Sequence, residues 1–342
     1  MRPNRIAVLV LALSSLHPAH AQEATPAPQA PAPGERVLDT TVVRMPGPGM
    51  WAVRKGGNTL WVLGTVTPLP AGMAWNSGPV RKVLRQADAV IAAPSVVVDA
   101  DIGFFGKLSL LPSLVGVRAN PDGRKLRDVL PPPLHQRWLQ LKQRYIGRDG
   151  SVEKWRPIFA GMKLYEEAVE RHGLSTRDVV RADLAPVLKE SGIKPVRTDA
   201  RVKVEKPKAV LKEFKTTRFD DLECFEKTLD RVEFDLPALA ARAQAWAVGD
   251  VEALGRLRNP DLGAVCQRAM LGGQFAARHG MDALEAQARE RWIAEAEASL
   301  ARHRTTFAVL PMNDVLAPDG LVAALAARGY TVEPPAAATR AP

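Results

Sequence analysis

The sequence is poor in the residue types from which metal sites are usually built. Its 342 residues include only two cysteines and six histidines, and aromatic residues make up 6%. No histidine or further cysteine lies at ligand spacing around Cys224 or Cys266, so we expect no metal site there. The hydrophobic fraction, by contrast, is 46%. A chain of this length and composition predicts one large domain, or two closely joined lobes, around a sizeable core.

Sequence motifs of common catalytic sites are also missing. The chain contains neither the Gly-x-Ser-x-Gly of serine hydrolases nor a glycine-rich phosphate loop ending in Lys-Ser or Lys-Thr. A hydrolytic metal site needs about three nitrogen or oxygen ligands and an open position for water. Four histidines follow the amino-terminal segment, and their places on helices or at helix ends favour surface and capping roles: His135, His172, His279 and His303.

Beyond the amino terminus, no apolar run is long enough to predict a membrane span. Arg2 and Arg5 flank the start of a short apolar stretch, and Ala19-His20-Ala21 has the pattern of a cleavage site. These features predict a secretory signal peptide over residues 1–21. The alternative is an uncleaved anchor, but the stretch is shorter than the ~20 residues that span a bilayer. We therefore expect a periplasmic or secreted protein.

The composition also suggests how the remaining chain is divided. Residues 22–40 are rich in alanine and proline and predict a disordered leader, and residues 336–342 predict a disordered tail. Between them we expect a single α/β domain over residues 41–335, with a helical insertion at about 131–303. Apolar residues at helical spacing predict the long helices of this insertion at Pro131–Tyr145, Trp155–His172, from Asp235 onwards, and Met281–His303.

Two stretches near opposite ends of the domain follow one plan. Each is an apolar run, a polar turn, a helix and a second apolar run. The first unit starts at Asn58–Pro70, with its helix at Gly78–Gln86 and its closing run at Ala89–Ala93. The second starts at Thr305–Leu321, with its helix at Asp319–Ala327 and its closing run at Tyr330–Val332. Such strand–loop–helix–strand units predict a mainly parallel sheet flanked by helices, with the helical region between the two units.

The polar turns after the first strand of each unit are the best candidates for a site. Open α/β sheets place ligands at the carboxyl ends of their strands. We expect strands Leu60–Leu63 and Phe307–Leu310 to be parallel neighbours, which would place Thr67 and Asp314 in one cleft. The candidate cleft residues are Gly64, Thr65, Thr67, Asn313 and Asp314.

These residues resemble motifs of the TraB/GumN family, which is related to the Tiki-type metal-dependent proteases. The resemblance covers roughly residues 48–335. It is carried by the strand end Leu63-Gly64-Thr65, by Gly320-Leu321, and by Gly329-Tyr330-Thr331-Val332. It implies a metal-dependent hydrolase whose ligands include a histidine after each of the two strands.

The metal ligands that the resemblance implies are replaced in this sequence. Thr67 stands where the first histidine would be, Asp314 stands where the second would be, and Val90–Pro94 lacks the expected acid. A hydroxyl is a weak metal ligand, and one carboxylate makes a poor zinc site. We therefore expect no cofactor, with Asp314 as a weak candidate for a hard cation.

The two cysteines and one basic stretch complete the candidate features. An even cysteine count in an exported protein predicts a disulfide, Cys224–Cys266, and the alternative is two buried thiols. The net charge is +10, and the densest basic stretch is Arg201–Lys215. This stretch could bind an anionic envelope polymer, although a solvated surface also explains it. Nucleic acid is not an expected partner, because no aromatic residues interleave with these charges.

Three functions remain in view. The first is a non-catalytic, pseudoenzyme-like protein of the cell envelope that binds a ligand or partner protein between the end units. The second is a divergent metal-dependent hydrolase or peptidase using Asp314. The third is an accessory factor of exopolysaccharide or envelope biogenesis, which is suggested by association with the family name alone.

Overall fold

We analysed a computed structural model, which describes residues 47–100, 104–257, 262–271 and 273–336. The strands, in chain order, are β1 (Met50–Lys55), β2 (Asn58–Thr65), β3 (Leu69–Pro70), β4 (Ala89–Ile91), β5 (Val96–Ala100), β6 (Leu174–Ser175), β7 (Ala200–Val204), β8 (Thr305–Pro311) and β9 (Thr331–Glu333). The predicted signal peptide and leader lie outside the described residues, as does the predicted tail beyond residue 336.

The α-helices of the described chain lie mostly, but not all, between β4 and β8. They are α1 (Gly78–Gln86), α2 (Phe104–Leu114), α3 (Leu126–Val129), α4 (Pro132–Tyr145), α5 (Pro157–Arg171), α6 (Val179–Ser191), α7 (Pro207–Thr216), α8 (Leu222–Asp230), α9 (Leu236–Ala247), α10 (Val251–Arg256), α11 (Leu262–Leu271), α12 (Gln274–Arg278), α13 (Leu284–Arg302), α14 (Met312–Leu316) and α15 (Leu321–Ala327). None of the described helices is long and apolar enough to cross a membrane.

The central sheet has five strands in the order β4-β8-β2-β1-β9. Strands β2 and β8 are parallel neighbours in a register that pairs Trp61 with Phe307 and Thr65 with Pro311. The predicted pairing of the two end units is therefore confirmed. Strand β4 also pairs with β8 in parallel, so the carboxyl ends of these three strands lie at one edge of the sheet.

The sheet as a whole is mixed, and the expected mainly parallel arrangement is not what the hydrogen-bonded ladders show. Strand β1 pairs with β2 and with β9 in antiparallel fashion. The cause is a two-residue turn at Gly56 and Gly57, where Gly56 has φ +58°. Only glycine adopts such angles readily, and a Gly-Gly pair between two apolar runs forms a tight hairpin. This hairpin places β1 beside β2, where it separates β2 from β9.

The core beside the sheet is built mainly from aliphatic residues, together with several aromatic ones. Leu60 and Leu63 of β2 are fully buried, as are Trp246 of α9 and Trp292 of α13. In β2, buried residues occur next to one another instead of alternating with exposed ones, because both faces of this strand are covered. The site at the end of β2 therefore stands on a rigid, fully packed element.

A second core holds the helical region together. The predicted apolar stripe of α4 is buried, with Trp138 fully enclosed. Its indole packs 5.6 Å from the ring of Phe225 on α8, and its Nε1–H donates to Glu153 at 3.0 Å. The amphipathic pattern therefore located this helix correctly, and its buried face ties α4 to α8.

The helix predicted from Asp235 onwards is present as α9, but it continues from α8 and does not start as a separate capped helix. Helices α8 and α9 are joined by a π-helical turn, Arg231–Asp235, and the Asp235 side chain makes no capping hydrogen bond. Its carboxylate lies 3.5 Å from Nε of Arg231 instead. Pro237 removes one backbone donor, and the wider preceding turn accommodates its ring without ending the helix.

Cys224 of α8 and Cys266 of α11 lie at disulfide distance. Their Cα atoms are 4.8 Å apart, within the ~7 Å that a disulfide allows. The expected proximity of the two cysteines is confirmed. A bond here ties α11 to the continuous helix that carries Arg231 and Arg242.

Candidate functional site

A cavity of about 630 Å³ opens at the edge of the sheet where β2, β8 and β4 end. The chain leaves these strands through Thr65–Thr67, Pro311–Asn313 and Ala92–Ala93, and all three segments line the cavity. Helix α6 forms the opposite wall. Most of the lining is aliphatic, including Val66, Val90, Ile91, Val180, Leu184, Leu188 and Leu310. We refer to this space as the sheet-edge cavity.

A second cavity of about 480 Å³ adjoins the first within the helical region. Thr67, Arg242 and Asn313 line both spaces, so together the two cavities form one cleft. Apolar residues line the second space together with eight polar ones, namely Thr67, Tyr165, Thr176, Thr228, Arg231, Arg242, Gln267 and Asn313. We refer to it as the arginine cavity.

The two arginines come from one nearly continuous helix and are both largely buried. Arg231 is 9% exposed and Arg242 is 7% exposed. The Nη2 group of Arg242 donates to Oδ1 of Asn313 at 2.9 Å. None of the described residues that line the arginine cavity is acidic. The cavity is thus bordered by two largely buried guanidinium groups, of which Arg242 contacts Asn313 and Arg231 lies beside Asp235.

Tyr165 of α5 lies in the same cavity next to Arg231. Burial raises the pKa of this phenol, although a hydrogen bond with Arg231 and the charges of both cavity arginines oppose the rise. The tyrosine therefore keeps its proton at neutral pH. A protonated hydroxyl can act as a donor as well as an acceptor.

The structure gives different roles to the three candidate residues at the end of β2. Gly64 allows close packing, since a Cβ at this position would meet the side chain of Met312 at 2.7 Å. The Thr65 hydroxyl donates to the carbonyl oxygen of Leu310 at 3.2 Å. Thr67 is exposed and lines both cavities. Thr65 and Thr67 both line the cleft. The Thr65 hydroxyl is used in its bond to β8, which leaves Thr67 as the better candidate to contact a ligand.

The expected juxtaposition of Thr67 and Asp314 needs correction, because Asn313 faces the cleft in place of Asp314. Oδ1 of Asp314 accepts a hydrogen bond from Arg289 of α13 at 2.8 Å. Arg289 also donates to the backbone oxygen of Asp319 at 2.7 Å. Residues 312–316 form a short helix, in which successive side chains point about 100° apart. One residue of offset therefore decides which side chain reaches the cleft.

These residues do not fit the metal site that the family resemblance implies. Within the part of the chain that the structure describes, no three His, Cys, Asp or Glu side chains come together. Thr67 and Asn313 offer a hydroxyl and an amide, which are weak ligands for transition metals. The histidines serve elsewhere, and three of them end helices, namely His172, His279 and His303.

Sequence reasoning missed the arginine cavity, although one pattern pointed to it. Leu239, Ala243 and Trp246 recur at helical spacing and are buried on one face of α9. Arg242 is three residues after Leu239 and four before Trp246, so it belongs to the same face. A charged residue on an apolar helix face calls for a compensating partner or a function. Arg231 carried no comparable signal, because the π-helical turn that positions it was not predicted.

The described part of the chain is thus a mixed α/β protein with a ligand-sized cleft at the carboxyl ends of its central strands. The sequence motifs at the end of β2 and after β8 border this cleft. Residues 49–334 match the model of the TraB/PrgY/gumN family, so the protein belongs to this family. The curated proteins and the solved structures compared with the chain include no match.

Proposed function

We propose that this protein is an exported, non-catalytic member of the TraB/PrgY/gumN family that binds a small molecule in the cleft. The observation that carries the proposal is the pair of adjoining cavities at the carboxyl ends of β2 and β8. Each volume falls within the roughly 300–1,000 Å³ typical of small-molecule sites. The lining is mostly apolar with a few convergent polar groups, which is the usual composition of such sites.

The chemistry of the cleft supports binding over hydrolysis. Activation of water by a metal needs strong ligands and a nearby base. Thr67 and Asn313 supply neither, and Asp314 is engaged by Arg289. Asp178 lines the sheet-edge cavity, but it caps α6 by accepting a hydrogen bond from the backbone of Arg181. Export is proposed from the signal-peptide pattern of residues 1–21 and from the cysteine pair.

Closing the mouth of the sheet-edge cavity tests the binding proposal. Ala185 of α6 is exposed and lines the cavity, so Ala185→Trp adds bulk there without disturbing the core. Ala182 is exposed on the same helix but does not line the cavity, and Ala182→Trp is the matched control. The uncharged fluorophore N-phenyl-1-naphthylamine serves as the probe.

We expect saturable fluorescence enhancement in the native protein and a loss of affinity on the order of tenfold in Ala185→Trp. The control variant should bind as the native protein does. Equal affinities in all three proteins would place the probe outside the cleft and contradict the proposal. Tightly held metal, with hydrolytic activity that Asp314→Ala abolishes, would favour the metal-dependent hydrolase instead.

A second candidate function, attachment to an anionic envelope polymer, is favoured by the surface of α7. Lys208, Lys212 and Lys215 lie at positions i, i+4 and i+7 and share one helix face, and the first two are exposed. Within the same basic stretch, Arg201 is engaged by Asp199. Salt-sensitive retention on dextran sulfate that Lys208→Ala/Lys212→Ala weakens would support it. Unchanged retention would rule out this face.

A further inference from the structure

Helix α2 carries a row of exposed aliphatic side chains. Leu108 is 53% exposed, Leu111 is 55% exposed, and Val115, which follows the helix, is 76% exposed. The backbone N–H of Val115 donates to the carbonyl oxygen of Pro112 at 3.3 Å, so a helical turn includes this residue. At about 100° per residue, Leu108, Leu111 and Val115 share one face of the helix. Contiguous exposed apolar residues mark a surface that binds a partner or a membrane.

Helix α7 packs against α2 and exposes lysines. Val210 and Phe214 of α7 pack against a buried cluster in the interior of the protein. Lys208 and Lys212 are exposed, and helical geometry turns them away from Val210 and Phe214. The acidic residue of this helix, Glu213, pairs with a side chain of α12 instead. The outer face of α7 is therefore positively charged.

The apolar face of α2 and the lysine face of α7 adjoin. The less exposed residues near the end of α2 are Leu110 and Ser113, which lie on the side opposite to Leu108. The two helices are neighbours, and each turns its less exposed side inward. Their outer faces therefore form one surface, which we call the α2–α7 surface and which carries Leu108, Leu111, Val115, Lys208 and Lys212.

The chemistry of the α2–α7 surface restricts what can bind there. A soluble polyanion would match the lysines but would leave the aliphatic row in water. A second copy of the chain would cover the aliphatic row but would bring two sets of lysines together, which like-charge repulsion opposes. An anionic bilayer offers both hydrocarbon and phosphate, and surface helices with an apolar face beside basic residues bind at its interface.

We propose that the α2–α7 surface binds a membrane that contains anionic phospholipids. The aliphatic row of α2 enters the boundary between head groups and acyl chains, and the lysines of α7 lie among the phosphates. Helix α2 lies in the plane of this boundary and does not cross the bilayer. Neither α2 nor α7 lines the sheet-edge cavity or the arginine cavity, so membrane binding and ligand binding in the cleft are separate properties.

Flotation with vesicles at a series of lipid concentrations tests the native protein. One set of vesicles contains phosphatidylglycerol and phosphatidylcholine in equal parts, and the other contains phosphatidylcholine alone. We expect binding to the anionic vesicles to be at least about tenfold tighter, because each lysine at an anionic surface contributes roughly a factor of five. Added salt should weaken this binding without abolishing it, since salt screens the lysines but not the apolar contact.

A first double variant tests the apolar contact. Leu108→Gln/Leu111→Gln should lower the affinity for the anionic vesicles about tenfold or more, because interfacial binding scales with the apolar area that is buried. The matched control is Leu139→Gln/Phe234→Gln. These two residues are 44% and 71% exposed and lie outside the α2–α7 surface, so the control should bind as the native protein does.

A second double variant tests the charges. Lys208→Ala/Lys212→Ala should also lower the affinity for the anionic vesicles about tenfold or more and leave that for phosphatidylcholine vesicles unchanged. Its matched control is Lys82→Ala/Lys189→Ala, which removes the same charge from exposed positions on α1 and α6. All variants keep the native amino terminus, and circular dichroism with thermal unfolding establishes that each is folded.

Several results would overturn the inference. One is the absence of vesicle binding, and another is equal binding to both kinds of vesicle. Unchanged affinity in either double variant would also contradict it. Retention on dextran sulfate without vesicle binding would make an anionic polymer the partner. A dimer that Leu108→Gln/Leu111→Gln dissociates, again without vesicle binding, would make a second copy the partner. The proposed function is judged separately, by N-phenyl-1-naphthylamine binding in the absence of vesicles.

Discussion

Breaking the link between Cys224 and Cys266 should weaken both the fold and the arginine cavity. The link joins α8 to α11 across 42 residues of sequence. Cys266 and Met270 of α11 line the arginine cavity, and so does Thr228 of α8. Loss of the link removes the covalent constraint on one wall of this cavity. The sheet-edge cavity has no lining residue from either helix.

The size of the effect follows from the length of the closed loop. In the chain-entropy treatment, a loop of this length stabilises the folded state by about 4 kcal/mol. Single domains are typically stable by about 5–15 kcal/mol, so the loss is a large share of the total. Cys224 is 1% exposed. Alanine is therefore a better replacement than serine, because it adds no buried polar group.

Urea unfolding of the native protein, with and without reductant, and of Cys224→Ala/Cys266→Ala measures this contribution. We expect the reduced protein and the variant to lose similar free energies of unfolding, close to the value above. N-phenyl-1-naphthylamine binding should stay within about twofold of the native value in both, because neither helix lines the sheet-edge cavity. Mass spectrometry that found two free thiols in the native protein, or equal unfolding free energies with and without reductant, would refute the reasoning.

Three further predictions test the packing around the site and one surface ion pair. In Trp246→Phe, the backbone oxygen at the end of β2 loses the indole donor at 2.7 Å, which should cost about 1–3 kcal/mol in urea unfolding. In Gly320→Ala, the new Cβ would lie 2.4 Å from the backbone oxygen of Asp314, so thermal and urea unfolding should show a loss of about 1–3 kcal/mol; unchanged stability would mean that this turn is not rigid. The guanidinium of Arg278 holds the pKa of Glu213 below its usual range, so this carboxylate stabilises the fold above its ordinary pKa and ceases to do so as pH falls through the lowered value. Glu213 also pairs with His279, so the stability difference between the native protein and Glu213→Gln should be present above the ordinary carboxyl pKa and shrink as the pH falls through the lowered value, and an undiminished difference in acid would contradict the pairing.

Much of the fold follows from local patterns in the sequence. Helix α1 has the predicted bounds Gly78–Gln86, because the proline after Gly78 and the apolar spacing both act locally. Asp250 caps α10 through its own side chain, accepting from the backbone N–H of Ala253 at 2.9 Å. The pairing of β2 with β8 was also predictable, because the two units repeat one pattern and parallel neighbours are the simplest arrangement for both.

Other features depended on context that the local pattern does not contain. The Gly56-Gly57 hairpin pairs β1 with β2, but the pairing of β1 with β9 on its other edge joins segments far apart in sequence. The π-helical turn before α9 decides where Arg231 points. For both features the local sequence allows more than one backbone arrangement. Packing against the rest of the chain selects the one that is observed.

The sequence alone thus determined the family, the two end units, the partnership of the cysteines, and the edge of the sheet at which the cleft lies. Only the tertiary structure decided which side chains line that cleft. Asn313 faces it while Asp314 pairs with Arg289, and Arg242 reaches it from a helix far away in sequence. The physical reason is that a site forms where several elements converge. Side-chain direction there depends on helix phase, on long-range ion pairs and on packing, which no single segment encodes.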